Sequence, residues 1–221
     1  MSKLQMTGCS LLLAAGVLAA APVLAQPTSP GHSDVRQVRV GLALDEKSAA
    51  GLGGFACANE GAPALQGWSD YKTCPANAQG LREIRFEFQE DDRLVQLADR
   101  WEGTKIAGHP VILTMAVTEE GVIDGLRIVT DDEASPYLRK KAYLLSIKVR
   151  EHYGRDGWTC VDLPREPGET EIGGMFVKQE CDKSADGRNL KMWTKLFRGA
   201  GQEGKRYEDS VSVEVTRASP S

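Results

Sequence analysis

The side chains of widest chemical reach in this chain are five cysteines and three histidines. Cys9 lies in an apolar N-terminal segment, and the other four are Cys57, Cys74, Cys160 and Cys181. Four cysteines can pair as disulfides or hold a zinc ion. There is no C-x-x-C pair and no nearby His doublet, so disulfides are the expected state. Each cysteine has one near neighbour in the chain, which favours the pairs Cys57–Cys74 and Cys160–Cys181. The histidines, His32, His109 and His152, belong to no H-E-x-x-H zinc motif, and no G-x-S-x-G nucleophile elbow occurs. A Ser-His-Asp set is defined by geometry, so a non-local one remains as the basis of the rival reading, a hydrolase.

Two glycine-rich stretches imitate phosphate cradles. Gly199 to Lys205 has the spacing of a P-loop, but Arg206 follows where a Ser or Thr hydroxyl must hold Mg²⁺. Gly51-Leu52-Gly53-Gly54-Phe55-Ala56 fits G-x-G-x-x-A, yet no amphipathic helix follows to receive a dinucleotide. Both are read as loops. The acidic clusters Asp91-Asp92 and Asp131-Asp132-Glu133 lack the alternating spacing of a calcium loop and precede expected helices, where negative charge is stabilised by the helix dipole. No motif requires a metal or a cofactor. The candidates left for ligand contact are a Trp68–Tyr71 aromatic pair and the basic residues Arg139, Lys140, Lys141, Lys148 and Arg150 of one helix. The first suits a glycan or peptide, the second an anionic lipid, glycan or acidic partner at the cell envelope.

These residues need elements to position them. Residues 1–25 carry one charge, Lys3, ahead of an apolar run from Leu11 to Leu24 that ends at Ala25. The run is shorter than the roughly 20 residues of a membrane-spanning helix and has the three regions of a secretory signal peptide. The expectation is export to the periplasm or beyond, with cleavage near Ala25 and no transmembrane span. Cys9 precedes the apolar run, which excludes it as a lipid anchor. The whole chain has 221 residues, 27 Lys+Arg and 31 Asp+Glu, a net charge of -4 that argues against a nucleic-acid partner.

Residues 26–34 read as a Pro/Ser/Gly leader, 35–217 as one domain and 218–221 as a tail. Alternation predicts strands over 38–44, 84–88, 111–117 and 122–129, with Gly121 turning the last two into a hairpin. Residues 45–81 read as an irregular loop stapled by the first disulfide, and a binding surface is expected there, beside neighbouring strand edges. Leu94, Leu97, Ala98 and Trp101 mark a short helix. Ser135, Pro136 and Gly154 bracket a long one with Leu138, Ala142, Leu145, Val149 and Tyr153 inward. Strands near 158–163, 172–181, 188–197 and 208–216 form a closing meander, with Asp186-Gly187 as a hairpin turn.

Val111–Val117, Gly121 and Leu126–Val129, followed by a helix, resemble the core unit of TonB-like C-terminal domains, whose V-x-L-x-x-x-V strand, Gly turn and second strand they match. The aromatic-x-Pro exit of those domains is replaced by Tyr153-Gly154-Arg155. The resemblance implies architecture, a hairpin with a helix after it. The expected fold is α+β: a mostly antiparallel sheet packed by one long and one short helix, with two disulfides. The expected function is a non-catalytic binding or envelope-associated structural module for an envelope protein, glycan or peptide, with an exported hydrolase as the alternative.

Overall fold

Val111, Leu113, Met115 and Val117 alternate with Ile112, Thr114 and Ala116, and all four are at most 4% exposed. The strand that carries them is central to the sheet. The computed structural model describes residues 33–59, 61–89, 104–134, 141–202 and 207–218. Among these, nine strands form one sheet: β1 (Leu52–Cys57), β2 (Arg82–Phe88), β3 (Thr104–Ile106), β4 (His109–Val117), β5 (Ile123–Thr130), β6 (Thr159–Asp162), β7 (Val177–Ala185), β8 (Arg188–Phe197) and β9 (Glu208–Arg217). Their order is β1-β2-β4-β5-β9-β8-β7-β6, with β3 beside β4. Every pairing is antiparallel.

The register lines up one apolar row across the sheet. Phe86 faces Leu113, Leu113 faces Ile128, Ile128 faces Val213, Val213 faces Met192, Met192 faces Cys181 and Cys181 faces Cys160. The next row, Arg85, Thr114, Arg127, Glu214, Lys191 and Asp182, faces the other way. Successive residues of a strand point to opposite faces, so the first row, up to Cys181, builds the core and the second, apart from buried Thr114, meets water.

Helix α1 (Tyr143–His152) lays Ala142, Leu145 and Val149 into that core, as the apolar stripe predicts. It touches β8 and β9. At ten residues it is short, and its outer side leaves Leu144 and Ile147 at 40% and 45% exposure. The sheet therefore dominates the fold, and the helix contributes a small patch of cover. The helix has no capping side chain of its own; the Asp209 carboxylate of β9 accepts from Ala142 N at 2.8 Å and places negative charge at the positive end. Residues 1–32, the helix expected over 94–101, and Ser135, Pro136 and Leu138 of the long helix lie outside the described residues.

Two expectations are corrected. Residues 38–44 are not a strand. They form turns with single bridges, Val35 to Val38 and Ala43 to Val122, because Gly41 at φ 93° bends the chain. Val35, Val38 and Val40 all point inward from that tight loop. The stretch 45–81 is not wholly irregular: it holds β1 and a 3-10 helix, Trp68–Thr73. The register of β1 shifts between Gly53 and Ala56, so its alternation breaks at a bulge that Gly54, at φ 59°, makes possible. The supposed dinucleotide fingerprint is this bulged strand. Of the P-loop-like stretch, residues 199–202 follow β8 as a turn, and the remainder lies outside the described residues.

Both expected disulfides are present, Cys57–Cys74 and Cys160–Cys181, with sequence separations of 17 and 21. The first ties β1 to the end of the 3-10 helix. The second joins two facing residues of β6 and β7. Replacing Cys57 and Cys74 together by Ser is expected to lower stability by about 3 kcal/mol through the freed unfolded chain. The midpoint of urea unfolding measures it; a loss under about 1 kcal/mol would show that the staple adds little to the core around it.

Candidate functional site

The segment before Gly41 is held down by a buried ion pair. Asp34 and Arg188 meet with side chains 0% and 4% exposed. The second Asp34 oxygen accepts from Val40 N at 2.7 Å, closing the loop around Val35 and Val38. Arg188 opens β8 directly after the Asp186-Gly187 turn, whose two residues both have positive φ. The carboxylate thus joins the start of the described chain to the β7–β8 hairpin. Burying two charges is costly, and such a pair holds only where hydrogen bonds satisfy the remaining polar atoms.

Tyr153, at the end of α1, has the Arg188 guanidinium 5.7 Å from its ring centre. Its hydroxyl is buried near the Asp34 carboxylate, without well-formed hydrogen-bond geometry among the described residues. Burial, and after it the charge of Asp34, pushes the phenol well above its usual range. The carbonyls left open at the end of α1 are taken up by Lys183 of β7. Its Nζ donates to the oxygens of Tyr153, Gly154 and Asp156 at 2.6, 2.9 and 2.7 Å. A cation at a helix C-terminus is favoured by both the open acceptors and the dipole. His152 Nε2 lies 2.9 Å from the Ser33 carbonyl, which can only accept, so that nitrogen carries the proton in this contact.

Between α1, the 33–36 segment and strands β2, β3 and β5 lies a cavity of about 350 Å³. Val35, Phe88, Ile106, Ile128, Leu145 and Val149 give it apolar walls, and Arg36, Lys105, Lys148 and His152 give it basic ones. Arg36 stacks 3.8 Å over the Phe88 ring and donates to Gly51 O at 3.2 Å, so that wall is fixed. Asp34 and Tyr153 also line the cavity, but both Asp34 oxygens are engaged, by Arg188 and by Val40 N. No serine or cysteine lines it among the described residues. A larger hollow, about 470 Å³, lies on the open sheet face among Thr114, Arg127, Glu214 and Thr216. Asn77, Gln79 and Leu81 also line it, as does Asp124, which pairs with Arg217 at 2.7 Å. The smaller cavity draws apolar and polar groups from separate parts of the chain, which is the usual make-up of a ligand site.

The residues singled out by sequence do not gather at one place. Tyr71 is buried at 6%, under the β4–β5 turn, where its hydroxyl donates to Glu119 O at 3.2 Å and stands where a side chain on Gly121 would be. Trp68 is half-buried against the core. These two rings therefore form no exposed pair. Lys141 is exposed. Lys148 lines the cavity and pairs with Glu151 at 2.9 Å. Arg150 turns the other way, toward β7, where its Nη2 donates to Gln179 Oε1 at 2.6 Å and lies 3.2 Å from Cys181 Sγ. Arg139 and Lys140 lie outside the described residues. Asp34, Arg36, Phe88 and Lys105 carry no mark in the sequence as a site, because they come from three separate segments and none belongs to a motif. Their one available signal was a carboxylate, Asp34, followed at once by apolar Val35.

Comparison of the chain with protein-family models, curated proteins and solved structures finds no match. The resemblance of residues 111–153 to TonB-like C-terminal domains thus stays a matter of local pattern. Among the described residues no three His, Cys, Asp or Glu side chains stand close enough to hold a metal ion, and no helix is long and apolar enough to cross a membrane.

Two substitutions examine this constellation. Asp34→Ala leaves a buried guanidinium without its carboxylate and is expected to cost about 3–5 kcal/mol, read from urea unfolding; the double change Asp34→Asn with Arg188→Met should recover much of that. Tyr153→Phe removes a buried hydroxyl that makes no well-formed hydrogen bond, so its thermal midpoint should be unchanged or raised. A clear loss for Tyr153→Phe would show that the hydroxyl is bonded after all.

Proposed function

We propose that the protein is an exported, non-catalytic binding module, and that the cavity beside α1 takes a small amphipathic molecule. The observation that carries this reading is the composition of the lining: seven apolar side chains, Ala107 among them, together with four basic ones. The apolar body of a ligand would replace water against Phe88, Ile106 and Ile128, which is favourable in proportion to the area covered. An anionic head would meet Lys148, whose side chain is 58% exposed and able to exchange Glu151 for a ligand. A pocket of this kind sets orientation with few polar groups and gains affinity from apolar contact. Export, with residues 1–25 removed, rests on the signal-like N-terminal sequence and agrees with two disulfides, which persist in oxidising compartments. Association with the cell envelope is a further part of this proposal.

The alternative is an exported hydrolase using His152 and Asp34. Against it stand the engagement of both Asp34 oxygens, by Arg188 and by Val40 N, and a cavity lining that among the described residues offers no serine or cysteine as nucleophile.

Isothermal titration of the mature chain with dodecanoate is expected to show saturable binding at one site. Ile106→Trp, which fills the cavity from β3, should weaken it about tenfold, equivalent to roughly 1.4 kcal/mol. Dodecanol, the uncharged counterpart, should bind more weakly than dodecanoate. Equal affinity of wild type and Ile106→Trp would remove the cavity from consideration. Hydrolysis of p-nitrophenyl esters above background, lost in His152→Ala, would favour the hydrolase instead.

A further inference from the structure

We infer that the Cys160–Cys181 disulfide is a thiol-exchange site, attacked at Cys160 and opened through Cys181, while Cys57–Cys74 is a permanent staple. The two bridges differ in what surrounds their sulfurs. Cys57 and Cys74 are both buried, at 7% and 0% exposure. In the second bridge the two ends are unlike: Cys160 lies on edge strand β6, all four residues of which are exposed, and Cys181 on β7 is 0% exposed. A thiolate attacks a disulfide sulfur from the side opposite the bond that breaks, so solvent access selects Cys160 as the sulfur attacked and Cys181 as the one that leaves.

The leaving sulfur has a cation beside it. Arg150 of α1 brings Nη2 to 3.2 Å from Cys181 Sγ, with Gln179 Oε1 as its neutral partner at 2.6 Å. Its Nε is buried and makes no hydrogen bond, and among the described residues the guanidinium meets no carboxylate. A guanidinium so placed stabilises a thiolate on Cys181 and lowers the pKa of that thiol when it forms. Exchange is faster when the departing thiol has a lower pKa.

The step balances without a further reactant. The sulfur of an external thiolate bonds to Cys160 Sγ while the Cys160–Cys181 bond breaks, and the electron pair departs on Cys181 next to Arg150. A second external thiolate then attacks the mixed disulfide, releasing Cys160 as a thiolate and leaving the reductant oxidised to its own disulfide. The consequence for the fold is local. β6 is held by four register pairs with β7 and by this bridge, so opening the bridge loosens one short edge strand and leaves the core row intact up to Cys181.

The test is graded reduction of the full chain by reduced glutathione, trapped with an alkylating agent and mapped by peptide mass. The Cys160–Cys181 bridge should open about tenfold faster than Cys57–Cys74, and the trapped intermediate should carry glutathione on Cys160 and the alkyl group on Cys181. A parallel arm with a C-x-x-C dithiol protein distinguishes a protein thiol from a small one as the faster reductant; selective opening of Cys160–Cys181 in either arm supports the inference. Arg150→Met should slow opening roughly 3- to 10-fold, with Arg150→Lys retaining most of the rate. Equal opening of both bridges, glutathione on Cys181, or an unchanged rate in Arg150→Met would overturn it. If Arg150→Met fails to fold, the position of glutathione on the wild-type chain decides alone.

Discussion

Pairing register is the constraint on which the molecule depends. Phe86, Leu113, Ile128, Val213, Met192 and Cys181 can share one face only while each strand keeps its offset to the next. A slip of one residue in any strand would carry Arg85, Arg127, Glu214, Lys191 or Asp182 into the apolar layer, where an unpaired charge is prohibitively costly. The open face tolerates its charges because they stay in water and partly neutralise one another, as in Arg127–Glu83 at 3.6 Å and Lys191–Glu180 at 3.1 Å. Such exposed pairs add little stability; their role is to keep the face soluble and the register singular.

A sheet with one apolar face needs cover, and here the cover is assembled from small pieces. Helix α1 supplies Leu145 and Val149, the 33–40 loop supplies Val35 and Val38, and the 3-10 helix supplies Tyr71. Small pieces need anchors, because each buries too little apolar surface to hold itself in place. The anchors are polar and long-range: Asp34 to Arg188, Asp209 to the first turn of α1, and Lys183 to its last carbonyls. The cavity arises where these pieces meet without closing on one another. Its walls are consequently chemically mixed, and the same seams that anchor the cover supply its basic groups.

How far the sequence could be read depended on whether a residue's fate is set by its neighbours in the chain. β8 and β9 were located to within a residue, since strict alternation over ten residues leaves few alternatives. β1 was missed because Gly53 and Gly54 depress strand propensity and the bulge interrupts the period of two. The alternation over 38–44 misled in the opposite sense: Val38 and Val40 point inward because a loop curls round them, a path decided by Asp34 and Gly41. Lys148 and Arg150 look equivalent on a helical wheel drawn from sequence, yet one borders the cavity and the other reaches a disulfide. What separates them is the position of β7, nearly thirty residues further along the chain.

By itself the sequence determined what local chemistry can determine: antiparallel strands from alternation, an apolar helix stripe though expected on a longer helix, a hairpin turn at Asp186-Gly187, and the pairing of cysteines near each other in the chain. Those are properties of periodicity and chain closure, and they survive without knowledge of distant contacts. Only the tertiary structure decided which face of each basic side chain matters, that Tyr71 is core, that Asp34 is paired with Arg188 across more than a hundred residues, and that a cavity exists at all. Each of these depends on groups brought together by the register of the whole sheet, and long-range register leaves no mark in the spacing of any single segment.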